Sequence, residues 1–443
     1  DCAHMAANPR PKAGVFAVRQ APVLTYNLRA ILSGGDLQSY TPQGDYLKLI
    51  SLGKKSALAE KFGTALLGSL LWQWKDRIDR KFMDQFVDLP QMKTPALPRD
   101  VALGVVDALG DRPMCGGCGA KVGPAALREV LADLPTPNCD DVQSITGDDA
   151  AILRTGGQTQ IMTTDHLRSF TADHVTMTQI ATVHALGDAW AMGAAPQAAT
   201  ATIILPRMSP ELQRRTLAEI MQTAHSVMDD AGAAIVGGHS SLGDELTIGF
   251  TITGLCDAAP ITIAGAKSGD VLILTKPIGS GVLMAAEMAG QARGAEVVAA
   301  LGLMAMGQAK AAQILSDAHA MTDVTGFGLA GHLSGMCEAS GVDAIIDLDA
   351  VPLMQGALDL ATSGMRSSLF KDNRSGAGPV FGAVGPKGDL LFDPQTAGGL
   401  LAAIDADQAH DMLLALQAAG YPAAIIGKIQ IGDGAITVQT KPV

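Results

Sequence analysis

The stretch Gly187-Asp-Ala-Trp-Ala-Met-Gly193 places one carboxylate, Asp188, inside a largely apolar segment, Ala181–Met192, with the pattern of a helix. An unpaired carboxylate is costly there, because a buried charge loses its hydration. A bound Mg²⁺ ion would remove this cost, since Mg²⁺ prefers carboxylate, water and phosphate oxygens. The stretch therefore predicts a folded domain with an internal metal site.

Five further short segments, most of them punctuated by glycine, carry an acid, a cysteine, a lysine or a Gly-Gly turn. They are Cys115-Gly-Gly-Cys-Gly-Ala-Lys121, Gly147-Asp-Asp-Ala-Ala151, Thr163-Thr-Asp165, Gly237-Gly-His-Ser240 and Met321-Thr-Asp-Val-Thr-Gly-Phe-Gly-Leu329. A single acid at a turn is usually a helix cap, but several beside Gly, Thr and Ala favour a metal–phosphate site. A Gly-Gly turn exposes backbone N–H groups to a phosphate. Together the segments predict phosphoryl transfer from ATP.

The segment Cys115–Lys121 has three glycines around two thiols, which is typical of an arm that swings over a site and closes. A cation such as Lys121 or a following helix would activate a thiol. A zinc knuckle is an alternative, but no second Cys-x-x-Cys or His pair follows in the sequence. A redox dithiol is another, without a matching βαβ pattern. We favour a catalytic thiol over both.

Composition sets the class of protein. At 443 residues, 48 % apolar and 17 % charged, the chain is long enough for two or three domains. No sequence run approaches the roughly 20 apolar residues of a membrane span. The six cysteines are mostly not spaced like the pairs of a disulfide framework, which favours a reducing compartment. We expect a cytoplasmic protein and leave peripheral contact with the inner membrane open.

Charge divides the chain into two parts. Residues 1–100 carry 14 Lys and Arg against 9 Asp and Glu, whereas residues 101–443 carry 18 against 35. This asymmetry indicates two parts of different origin. We expect no nucleic-acid partner for the acidic part, because such binding needs basic surface. It would bind a polyanion through metal ions and backbone amides.

The first ninety residues resemble the C-terminal end of flavin-dependent NADH dehydrogenases. The resemblance rests on Asp1-Cys2-Ala3, which matches an FAD-contacting turn in that family, and on Gln20, which matches a residue near the flavin ring. The sequence shows no preceding Gly-x-Gly-x-x-Gly fingerprint. We expect 1–90 to be a remnant of such a module or part of a longer gene product, with FAD only in a longer parent protein.

Residues 58–86 form a strongly amphipathic stretch, in which Leu and Trp residues are followed by Lys and Arg. Trp beside basic residues suits a membrane interface, so a weak membrane contact through 62–82 is one hypothesis. The other, which we prefer, is a helix packed on a flavin domain. Proline-containing residues 91–111 are predicted as a linker.

Beyond the linker the pattern predicts a mixed fold of the α+β or α/β class. Strands are expected at Ile161–Thr163, Ala199–Leu205, Ala233–Val236, Ile248–Gly254, Val271–Leu274 and Leu400–Ile404. Helices are expected at 122–133, 175–192, 209–231 and 281–316. A turn at Lys267–Asp270 indicates a border between two subdomains.

Laid end to end, these segments resemble the selenide, water dikinase (selenophosphate synthetase) family over about 112–440, including Asp393-Pro-Gln-Thr-Ala-Gly-Gly399 near the end. The resemblance implies an α+β, aminoimidazole ribonucleotide synthetase-like fold with subdomains at 112–262 and 263–443. It also implies a homodimer whose strands form a shared barrel. The implied reaction converts ATP, selenide and water to selenophosphate, phosphate and AMP, with Mg²⁺ as cofactor.

The resemblance assigns residues to roles. Cys118 and Lys121 take the catalytic positions, and Asp149, Asp188 and Asp323 those of the magnesium ligands. The ATP contacts are matched by Lys121, Thr146, Gly147, Asp148, Asp165, Asp188, Gly238, His239 and Ser240.

Two residues depart from the family pattern. Ala120 stands where some members have a second cysteine, and His184 stands where Asn is frequent. The second change would alter metal occupancy or nucleotide binding. The alternatives are another ATP-using enzyme of the superfamily, a redox or zinc module at Cys115 and Cys118, and an inactive regulatory domain.

Overall fold

The structure, a computed structural model, describes residues 6, 8–86, 100–102, 104–105, 115–132, 139–143 and 148–440. Contacts divide the chain into two units, Asp1–Pro90 and Gln91–Val443. The predicted Asp1–Ala3 turn and most of the predicted linker lie outside the described residues.

The first unit has two helices and a three-stranded antiparallel sheet. Its elements are α1 (Gly14–Ser33), β1 (Lys48–Gly53), β2 (Ser56–Lys61), β3 (Thr64–Gly68) and α2 (Ser69–Asp84). The interpretation of 58–86 as one amphipathic stretch was wrong for its first part. Phe62 and Gly63 both have positive φ, so they close a two-residue hairpin between β2 and β3. The helix therefore starts only at Ser69.

The second unit begins with a short arm and a six-stranded sheet. After a 3₁₀ turn at Gly117–Ala120 come α3 (Pro124–Ala132), β4 (Val142–Gln143), β5 (Ala151–Thr155), β6 (Gln158–Arg168), α4 (His174–Ala191), β7 (Ala195–Pro206), α5 (Pro210–Asp230), β8 (Ala234–Gly243) and β9 (Thr247–Cys256). The strand order is β4-β5-β6-β9-β7-β8. The N-terminal residues of α4 and α5 are capped by the side chains of Asp173 and Ser209.

The two faces of this sheet differ in burial. On β6, Ile161, Thr163 and Leu167 are buried, whereas Met162 and Thr164 are exposed. This alternation follows from the two-residue period of a strand. The inner face packs on α4, which is buried along most of its length. Among the described residues of the second unit, no layer covers the outer face, as an antiparallel sheet allows.

The second unit continues with a seven-stranded sheet in the order β11-β14-β10-β15-β12-β16-β13. Its elements are β10 (Val271–Leu274), α6 (Ser280–Met288), α7 (Gly294–Met304), α8 (Ala309–Ile314), β11 (Ala320–Asp323), α9 (Gly328–Ser340), β12 (Val342–Asp347), α10 (Ala357–Thr362), α11 (Phe370–Gly376), β13 (Val380–Phe381), α12 (Gly385–Asp389), β14 (Leu400–Ile404), α13 (Ala406–Ala418), β15 (Ala424–Ile431) and β16 (Ile436–Gln439). The central strands β14 and β10 are almost wholly buried. This buried sheet carries Asp323 at the end of β11.

Two local predictions were wrong. The pattern at 281–316 forms three helices, because the intervening residues 289–293 and 305–308 leave helical geometry. Gly237–Ser240 was predicted as a turn after a strand, but it lies inside the edge strand β8, paired in parallel with β7. No helix among the described residues is long and apolar enough to cross a bilayer.

Candidate active site

Three carboxylates meet where the two halves of the second unit come together. Asp149 precedes β5, Asp188 lies on α4, and Asp323 ends β11. One oxygen of each lies within 4.8 Å of the others. Within the described ranges this is the single group of three or more acidic, Cys or His side chains close enough to share a metal ion.

Hydroxyl groups hold two of the carboxylates in place. The hydroxyl of Thr322, next to Asp323, donates to Asp149 Oδ1 at 2.9 Å. Thr163 on β6 donates to Asp188 Oδ2. The first bond links the two halves of the unit, and the second links the sheet to the helix that covers it. The geometry of the cluster is therefore set by tertiary contacts.

The cluster is electrostatically suited to a cation. Burial raises the pKa of Asp149 well above its ordinary value, and the charges of Asp323 and Asp188 raise it further. Burial likewise raises the pKa of Asp188, and it raises that of Asp323 to about 6. Asp149 Oδ2 is buried without a hydrogen-bond partner among the described residues. Three carboxylates supply only oxygen ligands, and one of these oxygens is still available for an ion. This arrangement fits Mg²⁺.

The Cys115–Lys121 arm lies between the two halves of the second unit. The N–H of Cys118 donates to Thr396 Oγ1 at 3.3 Å, and that of Cys115 donates to Ser368 Oγ at 3.3 Å. Ser368 Oγ in turn donates to the carbonyl of Gly119 at 2.8 Å. Both thiols are free and buried. The arm is therefore held against the second half of the unit by two hydroxyl-bearing side chains.

Lys121 is the last residue of the arm, and its side chain is partly exposed to solvent. Partial removal from water opposes its charge, but Asp165, Cys118 and the metal-site carboxylates raise the pKa of Lys121 above its ordinary value. Its Nζ lies 5.2 Å from the centre of the Phe327 ring. A Cβ at Gly326 would come within 2.6 Å of Lys121 Cδ, so a side chain there would have to displace the lysine chain. The lysine is a fixed cation at the edge of the cluster.

His184 joins the arm to the sheet. Its Nε2 lies 3.4 Å from Cys118 Sγ and 3.0 Å from Asp165 Oδ2. Burial opposes the charged forms of both His184 and Asp165. Their attraction prevails, so the pKa of His184 is well above and that of Asp165 well below its ordinary value. Cys118, His184 and Asp165 thus form one chain of contacts.

The other sequence-predicted ATP contacts are distributed differently. Asp148 lies beside the cluster, where it accepts from the N–H of Ile263 at 3.3 Å, and burial raises its pKa to about 6. Thr146 and Gly147 lie outside the described residues. Gly238–Ser240, including His239, are exposed on β8 and are not brought to the carboxylates within one chain.

Comparison with known proteins identifies the family. Residues 147–256 match the N-terminal domain, and residues 267–439 the C-terminal domain, of AIR synthase related proteins. The selenide, water dikinase of Myxococcus xanthus is 36 % identical over 347 residues, which cover 75 % of this chain and 97 % of that protein. That of Porphyromonas gingivalis is 37 % identical over 322 residues, covering 70 % and 92 %. The chain belongs to the selenide, water dikinase family.

A solved structure supports the fold of this selenide, water dikinase family member. The crystal structure of tt0281 from Thermus thermophilus aligns with a TM-score of 0.54 at 19 % identity, covering 71 % of this chain and 96 % of that one. The likeness concerns the fold alone. With the matched domains, it confirms the predicted mixed, AIR synthase-like fold.

Several residues at the site of this dikinase family member were not singled out from the sequence. Thr322, Ser368 and Thr396 act through the contacts of their side-chain hydroxyls, and the spacing of residues in the sequence does not reveal these contacts. His184 was noted only as a departure, without an acid–base role. Its place on the same helix face as Asp188, four residues away, was predicted from the sequence, but its contacts with Cys118 and Asp165 were not.

Proposed function

We propose that this chain synthesises selenophosphate from ATP, selenide and water, and releases AMP and phosphate. The observation that carries the proposal is the position of Cys118 and Lys121 beside the carboxylates of Asp149, Asp188 and Asp323. Relatives 35–37 % identical over most of the chain are named selenide, water dikinases. Other ATP-using enzymes of the superfamily would not need a thiol arm.

Asp149, Asp188 and Asp323 are the proposed ligands of Mg²⁺. Their oxygens are close enough to share an ion, and the unpartnered Asp149 Oδ2 supports this role. When bound, Mg²⁺ would neutralise charge on the triphosphate and on the transferring phosphoryl group. Thr163 and Thr322 would keep two of the carboxylates in their binding orientation.

Lys121 is proposed to bind and orient the phosphates of ATP. Its raised pKa keeps the ammonium charged at neutral pH, and the charge of Asp165 attracts it toward the site. Asp148, with Thr146 and Gly147, is proposed to contact the same nucleotide. Asp148 Oδ2 is buried and has no hydrogen-bond partner within the part of the chain that the structure describes, which supports a ligand at this point.

Cys118 is proposed to handle the selenium nucleophile. Sulfur is soft and polarizable, and the thiol lies within the electrostatic reach of Lys121, so selenide would be held next to the phosphates. The arm encloses this point and excludes water from the first transfer. Its hydroxyl-bonded position between the two halves supports a closing function.

A homodimer with a shared β-barrel is proposed for the six-stranded sheet. Its outer face is exposed, and Met162 and Val236 offer apolar surface there. Gly238–Ser240 lie on β8, whereas the proposed ATP contact Asp165 lies on β6. In the strand order β6-β9-β7-β8, three strand spacings, roughly 14 Å, separate these two strands. Gly238–Ser240 therefore cannot easily reach the nucleotide held by their own chain. We propose that they contact ATP bound to a second copy.

The boundaries 112–262 and 263–443 are proposed for the two subdomains, after a linker at 91–111. The 1–90 unit is proposed to derive from a flavoprotein, with FAD in a longer parent protein, in a cytoplasmic enzyme. A membrane-surface contact through 62–82 is supported by the exposed Leu70, Trp74 and Ile78, four residues apart on α2.

The test is anaerobic ³¹P NMR of the chain with ATP, Mg²⁺ and selenide, beside C118S and, as a control thiol, C139S. Cys139 is exposed and lies outside the site. We expect a selenophosphate resonance with AMP and phosphate in the unsubstituted protein and in C139S, and its loss in C118S.

Two results would contradict the proposal. Conversion of ATP to ADP regardless of selenide would identify another kinase of the superfamily. No turnover by a folded protein, together with bound zinc or a reversible Cys115–Cys118 disulfide, would favour the redox or metal-binding alternative.

A further inference from the structure

Asn373 is a buried amide that bridges two loops of the second unit. It lies on α11, its side chain is 1 % exposed, and its Nδ2 donates to the carbonyl of Gly326 at 2.9 Å and to that of Phe392 at 3.0 Å. Backbone carbonyls only accept hydrogen bonds, so the NH₂ group must face them. The amide therefore has one orientation, and its two donated bonds tie the loops to α11.

The Gly326 carbonyl belongs to the turn that supports Lys121. A Cβ at position 326 would come within 2.6 Å of Lys121 Cδ, and Lys121 Nζ lies 5.2 Å from the centre of the Phe327 ring. The stem of the lysine thus lies against Gly326 and its ammonium against Phe327. A movement of this short stretch of backbone would move the lysine.

Two backbone hydrogen bonds join the same loops. The N–H of Gln395 donates to the carbonyl of Thr325 at 2.9 Å, and the N–H of Val324 donates to that of Gly399 at 2.8 Å. The loops should therefore stay together when the amide of Asn373 is lost. Asn373 adds a hold on the carbonyl that adjoins the lysine.

We propose that Asn373 is a positioning residue for ATP binding. Its amide holds the Gly326–Phe327 backbone in place, and this backbone holds Lys121 where the ammonium meets the phosphates. Asn373 acts through the lysine and not through a contact with the nucleotide. The inference rests on the proposed function, in which Lys121 binds the phosphates of ATP.

The affinity for MgATP, measured by calorimetry without selenide, tests this role. N373L keeps the branched shape of asparagine but has no donor, so both carbonyls lose their bond. N27L is the matched control, because Asn27 lies on α1 of the first unit and its Nδ2 also donates to a backbone carbonyl, that of Gln38, at 2.9 Å. Both variants are measured with Lys121 present and in the K121M background.

We expect N373L to bind MgATP roughly tenfold more weakly than the unsubstituted chain, and N27L to bind it equally well. In the K121M background N373L should weaken binding by less than about twofold, because the lysine through which Asn373 acts is absent. A general loss of structure would weaken binding equally in both backgrounds. Unchanged affinity in N373L, or the same loss in both backgrounds, would overturn the inference.

G326A is a second test that leaves Asn373 intact. The added methyl displaces the lysine stem directly, so MgATP should again bind roughly tenfold more weakly, and only when Lys121 is present. G302A is its control, because the Cβ position of Gly302 has open space around it. Unchanged affinity in G326A would show that this backbone does not place the lysine, and it would overturn the inference even if N373L failed to fold.

The two proposals can fail separately, because MgATP binding requires no selenide. A lysine-dependent loss of affinity in N373L, in a chain that makes no selenophosphate, would reject the proposed function alone. Selenophosphate synthesis by a chain in which N373L binds MgATP normally would reject the inference alone.

Discussion

Gly187 on α4 lies directly against the carboxylate of Asp323 on β11. A Cβ at position 187 would overlap Asp323 Oδ2 and come within 3.3 Å of its Cγ. Gly187 precedes Asp188 in sequence, so the close approach brings two of the three clustered carboxylates together across the two halves of the unit. The absence of a side chain here is a requirement of the cluster.

G187A should therefore damage the cluster while leaving the fold. The added methyl must displace Asp323, at a cost of about 1–3 kcal/mol in unfolding free energy. We expect Mg²⁺ affinity, measured by calorimetry with ATP present, and selenophosphate synthesis to fall at least tenfold. G302A is the control, because Gly302 on α7 has open space around its Cβ position. Equal Mg²⁺ affinity in both variants would contradict the requirement.

D149N should have opposite effects on stability with and without metal. The carboxylate of Asp149 is buried beside two others, so its neutralisation relieves repulsion in the metal-free protein. We expect an unchanged or higher melting temperature without Mg²⁺, and loss of the increase that Mg²⁺ and ATP produce in the unsubstituted protein. D244N, on an exposed turn, should retain that increase. Full Mg²⁺-dependent stabilisation of D149N would exclude Asp149 as a ligand.

T396V should loosen the arm. Valine keeps the shape of Thr396 but cannot accept the N–H of Cys118, and one such bond contributes about 1 kcal/mol. We expect roughly fivefold faster amide hydrogen exchange over 115–121, and a lower kcat because water enters the site. T223V, at a partly exposed position of α5, should leave the exchange unchanged. Equal protection in T396V would show that this hydroxyl does not hold the arm.

The stability of K276M should differ from that of the unsubstituted chain in a pH-dependent way. Lys276 is fully buried and donates to the carbonyl of Ala397 at 3.0 Å. Burial lowers its pKa to about 7, although Asp323 partly opposes this. Its ordinary pKa in the unfolded chain is about 10.4. The unfolded state thus binds more protons between these values, and folding stability rises with pH there.

Below about pH 7 the buried Lys276 ammonium lowers the free energy of unfolding by its full amount. This destabilisation decreases as pH rises toward 10, because the buried lysine loses its proton. Metal-free urea denaturation should show the unsubstituted chain gaining on the order of a few kcal/mol relative to K276M between pH 7 and 9.5. A constant difference across this range would mean that Lys276 keeps its charge.

T200R should disrupt the proposed dimer. Thr200 is exposed on the outer face of β7, next to the central strand β9. Two copies of an arginine would place like charges in the proposed barrel. We expect sedimentation as a monomer and a loss of ATP affinity. T223R, on the helix that covers the opposite face, should remain dimeric. A dimeric T200R with normal ATP affinity would exclude this face as the interface.

Strong local patterns were enough to predict many elements. The strands Val271–Leu274 and Leu400–Ile404 were predicted with their observed bounds, because buried central strands are continuous apolar runs. The helix expected at 175–192 is observed at His174–Ala191. The stretch 58–68 was misassigned because its apolar residues also fit a helix, while the Phe62–Gly63 turn pairs them as a hairpin.

The sequence by itself determined which chemical groups are present: the thiol arm, the lysine, and acids placed beside glycine and threonine. It predicted Asp149, Asp188 and Asp323 as one set through family resemblance. Only the tertiary structure decided their distances, because these residues are far apart in sequence and meet where α4 packs against the end of β11. The same packing brought His184 between Cys118 and Asp165, and it left Gly238–Ser240 at a remote strand edge. Contacts between distant segments depend on how sheets and helices pack, and a local pattern does not contain that information.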